Sequence, residues 1–112
     1  MNLRIGHRSI RLERMRPGEA HDQDARGLYL PNAGVIHVDP DQQPDVQAEV
    51  VLHEVIHALW ETYGLPPRVD EEEVASVLAK GLAQVIRDNP ALVTAVQAAL
   101  EGIALFPRRG GR

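Results

Sequence analysis

The sequence predicts an α+β domain: a small antiparallel sheet of about three strands packed on one central helix and two further helices. Three observations carry that prediction. Short apolar runs with strand-like alternation occupy residues 3–38. Longer runs with helical periodicity fill the chain from about residue 46 onward. The strands all come before the helices, which argues against the alternating order of a parallel α/β sheet.

The chain of 112 residues suits one domain, expected over 1–106, with 107–112 (PRRGGR) as a loose, solvated end. A net charge of −4 and 4% aromatic residues give no case for a nucleic-acid surface. The absence of cysteine removes disulfides, thiolate metal sites and cysteine nucleophiles. No apolar run approaches the roughly 20 residues that cross a bilayer. The first residues, MNLRIGHRSIRLERMRPG, carry no continuous apolar segment, so a cytoplasmic location without a signal peptide is expected.

The elements follow in order. LRIGHRSIRLE alternates Leu3, Ile5, Ile10 and Leu12 with polar residues around a Gly-His break, as a strand or short hairpin does. MRPGEAHDQDARG reads as a loop. GLYLP and GVIHVDP are two short strands joined through PNAG. Asp45 offers an N-cap for a helix over 46–63, which Gly64 and the following prolines close. A second helix lies within 69–90, where Asp70 and Glu73 resemble a capping box and Asn89-Pro90 ends the run. A third is read over NPALVTAVQAALEGIALF, residues 89–106.

The first helix contains LHEVIHALW. His53 and His57 are four apart, so both lie on one helical face with Cβ atoms about 5–6 Å apart. Two imidazoles there can converge on one metal ion. Glu54 points about 100° away, poorly placed to ligate the same ion but well placed to touch a water that it holds. Leu52, Ile56 and Leu59 flank this row while Val51, Val55 and Ala58 lie behind it, so the helix is expected to be central and nearly surrounded.

A third ligand has to come from elsewhere. Glu61 projects away from the histidine row. On the second helix Glu73 falls on a polar stripe with Ser76, Lys80, Gln84 and Arg87. Glu71 lies over Val74, Leu78, Leu82 and Val85, whereas Glu72 lies over Ala75, Ala79, Ala83 and Ile86. The small alanine flank suits close approach of another helix and favours Glu72, with Glu71 as the alternative. Tyr29, His37 and Tyr63 are the side chains available to assist a reaction, and none is singled out; His7 and His21 receive no role.

LHEVIHALW followed by EEVASVLA resembles the ImmA/IrrE family of small zinc metallopeptidases, in the compact form common in phages and prophages. The resemblance covers roughly residues 27–90. The family's second motif, E-x-x-A-N-x-F-A, matches 72–79 with Ser76 for Asn and Leu78 for Phe, and puts its metal-binding glutamate on Glu72. IRDNPAL stands where the family carries an LMP run. The resemblance implies a minimal zincin-like fold in which His53, His57 and Glu72 hold Zn²⁺ and Glu54 is the general base. It also implies a peptide or regulatory-protein substrate, pairing with an edge strand drawn from GLYLP or GVIHVD. The expected activity is zinc-dependent peptide hydrolysis. Two other readings stand beside it: a metal-binding interaction module without turnover, and a metal-dependent hydrolase of non-peptide amides or esters.

Overall fold

The computed structural model describes residues 1–23, 25–66 and 71–109, leaving aside the side chains of Glu71, Glu72, Ala75 and Ser76. It is α+β, with a four-stranded mixed sheet and four helices. Strands β1 (Asn2–Ile5) and β2 (Arg8–Arg14) form a hairpin whose two-residue turn places Gly6 at φ +61°. Strands β3 (Gly27–Leu30) and β4 (Val35–Val38) form the second hairpin, paired antiparallel through PNAG.

The expected antiparallel sheet of about three strands has four, in the order β1-β2-β4-β3, and one of its three pairings is parallel. The chain leaves β2, forms β3 at the far edge and returns as β4 between them, so β4 runs parallel to β2. Residues 15–26, expected as a loop, include a short helix α1 (Glu19–Gln23).

Alternation decides which sheet face is covered. Leu3, Ile5, Ile10, Leu12, Ile36 and Val38 point to one face and are buried. Ser9, Arg11 and Glu13 point to the other and are exposed. On that outer face the central strand carries a buried polar group. His37 has Nδ1 2.6 Å from Glu19 Oε2 and Nε2 3.4 Å from Glu13 Oε1, which ties α1 to the sheet. Burial opposes the Glu19 charge, but the Arg16 backbone N–H and the His37 ring outweigh it and hold the carboxyl below its ordinary value of 4.5.

Helix α2 (Pro44–Thr62) begins at Pro44 after an N-cap Gln43, with no side-chain cap. Asp45 is therefore inside the helix rather than its cap; proline at the first position already supplies the φ a helix start needs. The C-terminus closes in a Schellman arrangement: Leu65 N–H donates to Trp60 O at 3.0 Å and Gly64 N–H to Glu61 O at 3.2 Å, with Gly64 at φ +63°. Buried Gln47 fastens the other end, donating to Pro40 O at 3.0 Å and Phe106 O at 3.2 Å and accepting from Phe106 N at 3.1 Å. Beyond it, Arg109 N donates to Asp41 Oδ1 at 3.0 Å.

Helix α3 (Glu71–Asp88) covers β1, and α4 (Pro90–Leu100) packs on α2. Gln84, expected on a solvent stripe, instead accepts from Gly6 N at 2.7 Å and donates to Arg4 O at 2.9 Å. Asn89 accepts from Arg4 N at 2.7 Å and donates to Arg4 O at 2.9 Å. Two side-chain amides thus satisfy the backbone edge of β1 that no strand pairs. No helix among the described residues is long and apolar enough to cross a membrane.

The Glu19–His37 pair predicts a pH signature. A lowered carboxyl pKa contributes stability above the unfolded value and loses it as pH falls. Urea unfolding should therefore show a wild-type advantage over Glu19→Gln at about pH 6 that shrinks toward about pH 3. A gap of constant size across that range would assign Glu19 no such role.

Candidate metal centre

On α2 the i, i+4 spacing brings the two imidazoles together. His53 Nε2 and His57 Nε2 are 3.0 Å apart, and the rings meet edge to face with centroids 4.7 Å apart. One ring nitrogen donates and the other accepts, according to tautomer. Two nitrogens bound tetrahedrally at 2.0–2.1 Å to one zinc ion would lie about 3.3 Å apart, so the observed pair needs only a small adjustment to share an ion. An ion there would replace the shared hydrogen.

Glu54 completes the cluster. One ligand atom from each of His53, Glu54 and His57 lies within 4.8 Å of the others, and the three form a group able to hold a metal ion. The burial pattern departs from the expected one at the histidines. Glu54 is 7% exposed, whereas both histidines are exposed, and so are Leu52 and Ile56. The helix is not surrounded, because a chain of this length cannot cover a helix on all sides. The sheet and α4 cover the face with Val51, Val55, Ala58 and Leu59, leaving the histidine row open.

The Glu54 carboxylate has no hydrogen-bond partner among the described residues. A buried carboxylate without a partner is costly unless it turns toward water. It does: a cavity of about 580 Å³ is lined by Gly27, Tyr29, His53, Glu54, His57 and Trp60. A second, of about 380 Å³, shares Gly27, His53 and Glu54 and extends to Arg26 and Glu49. The two form one groove between α2 and β3, with the histidines midway.

Gly27 sets the width of this groove. A Cβ there would overlap Val50 Cγ1 and lie 3.2 Å from Glu54 Cγ. The glycine was not singled out from sequence; a lone glycine opening a strand is the signal that could have found it. Of the side chains considered for assistance, Tyr29 lines the cavity. His37 lies on the outer sheet face with Glu13 and Glu19, and Tyr63 is exposed beside Gly81. His7 and His21 are exposed, away from the groove. Arg8 and Glu61 form a further group at the Tyr29 end.

The packing premise that favoured Glu72 does not hold. Ala79 and Ala83 are exposed. The close approach of α3 to α2 occurs instead at Gly81, where a Cβ would lie 2.7 Å from Leu59 Cδ2. Glu71 and Glu72 belong to the first turn of α3, and their side chains lie outside the described residues, as does Asp70.

No family model, no curated protein and no solved structure matches this chain. The site therefore rests on its own residues.

Gly27→Ala tests the groove's construction. The added methyl overpacks the contact between β3 and α2, with an expected cost of about 1–3 kcal/mol in urea unfolding. A variant as stable as wild type would show that β3 can move away from α2 freely.

Proposed function

We propose that the chain is a zinc-dependent peptidase of the HExxH type, akin to the ImmA/IrrE metallopeptidases that its sequence resembles. The observation that supports this reading best is the convergence of two imidazole nitrogens 3.0 Å apart with a buried carboxylate that has no other described partner. Two imidazoles with a carboxylate suit zinc. His53 and His57 supply the nitrogens, and the sequence motif assigns the third ligand to Glu72, with neighbouring Glu71 as the alternative.

Zinc in such a site polarises the scissile carbonyl and lowers the pKa of its water. Glu54 takes a proton from the attacking water and delivers it to the departing amine nitrogen. Burial holds its carboxylate toward the groove. The substrate is an extended peptide segment, the regulatory-protein class that the resemblance implies. Edge strand β3 offers it an unpaired backbone beside the site, because β4 is internal to the sheet. Among the described residues no other element hydrogen-bonds to the backbone of Gly27–Tyr29.

Elemental analysis should find about one zinc per chain, lost in His53→Ala. Glu54→Gln should retain zinc and fold while hydrolysis of an internally quenched peptide library falls about 10²–10⁴-fold. Hydrolysis by Glu54→Gln at the wild-type rate would overturn the reading.

A further inference from the structure

Peptide hydrolysis is aided by a hydrogen-bond donor to the carbonyl oxygen, which gains negative charge as water adds to the carbonyl carbon. The assignment of that donor rests on the peptidase reading: among the described residues lining the groove, Tyr29 alone carries a hydroxyl. Gly27 and Tyr29 are two residues apart on β3, so their side-chain directions share the face that meets α2. At Gly27 that face meets Val50 and Glu54. At Tyr29, about 7 Å further along the strand, it meets Glu61, whose Oε2 is 3.3 Å from the Tyr29 hydroxyl. Glu54 and Glu61 are two helical turns apart on α2, and His57 lies between them. Glu61, which the hydroxyl meets, follows His57 by four residues, about one turn of α2. Tyr29 and His57 line the same cavity.

The contacts of this hydroxyl fix its oxygen and leave its proton loosely held. Arg8 Nη1 donates to it at 2.6 Å. The same guanidinium reaches Glu61 Oε1 and Oε2 at 2.6 and 2.7 Å and Pro31 O at 2.7 Å. Arg8 is thereby clamped between the strand end and the helix. The tyrosine's own proton points to Glu61 over 3.3 Å, well beyond the usual 2.7–2.8 Å for O–H···O. Glu61 is already satisfied by Arg8, so the proton can turn to another acceptor with no movement of the oxygen.

We infer that Tyr29 is a catalytic residue, whose hydroxyl donates a hydrogen bond to the carbonyl oxygen of the scissile peptide as that oxygen gains charge, and that Arg8 and Glu61 are its positioning residues. Tyr29 keeps its proton throughout; no bond to it forms or breaks. The Arg8 hydrogen bond polarises the hydroxyl and strengthens it as a donor. Burial raises the phenol's pKa above 10, and Glu61 adds to this against the opposing Arg8 charge, so the donor stays protonated at neutral pH.

The experiment compares zinc-loaded wild type, Tyr29→Phe and Arg8→Lys on an internally quenched peptide library. Calorimetric binding of N-phosphoryl-leucyl-tryptophan, whose tetrahedral phosphoryl oxygens imitate the charged carbonyl, is measured alongside. Tyr29→Phe should retain zinc and its unfolding midpoint, lose about 10²-fold in kcat with KM nearly unchanged, and bind the phosphoryl dipeptide at least about tenfold more weakly. Arg8→Lys, which cannot reproduce the forked contacts, should lower kcat with KM and zinc retained. Should Tyr29→Phe fail to fold, Arg8→Lys and its kcat-to-KM split carry the test. Wild-type kcat in Tyr29→Phe, or a loss confined to KM or zinc content, would overturn the assignment while leaving the peptidase reading intact. A zinc-loaded wild type that hydrolyses nothing in the library would overturn both.

Discussion

The distance between strand β3 and helix α2 governs the site, and the missing side chain at Gly27 sets it. With any Cβ at that position, Val50 would be struck and the Glu54 side chain crowded. With none, the strand lies close enough to wall a groove whose floor is the histidine row. That contact buries Glu54 on one side while leaving its carboxylate open to the groove on the other. The arrangement stores a charged group at the rim of the core, a placement that costs stability and is tolerated where the charge meets water or an ion.

The two edges of the sheet are treated differently. At β1 the amides of Gln84 and Asn89 occupy the backbone groups of Arg4 and Gly6, so this edge is closed to a further strand. At β3 the backbone receives no such cover from the described residues, and this open edge is the one beside the candidate metal centre. Closure on one side and access on the other give the sheet a direction. The Arg8 clamp on Tyr29, Pro31 and Glu61 holds the open edge to α2 at its far end, where Gly27 cannot.

Much of this could be read from residue order, and the rest follows a clear divide. The second hairpin, the three long helices and the pairing of His53 with His57 follow from the sequence, because turn chemistry and the 3.6-residue period act over a few residues. The resemblance to a metallopeptidase family rests on that same local spacing. By contrast, α2 looked central because apolar residues ring it, yet 112 residues cannot enclose it, and its histidine face stays open. The alanine flank of α3 looked like the close contact with α2, yet Gly81 makes it.

The sequence by itself determined the three long helices and the relative positions of His53, Glu54 and His57, since one helix fixes all three. Tertiary structure alone decided that β4 inserts beside β2, that Gln84 and Asn89 close one edge, and that Arg8 meets Glu61 across 53 residues. These contacts join residues far apart in the chain, and no local pattern encodes a distance that only the packed core brings to a few ångströms.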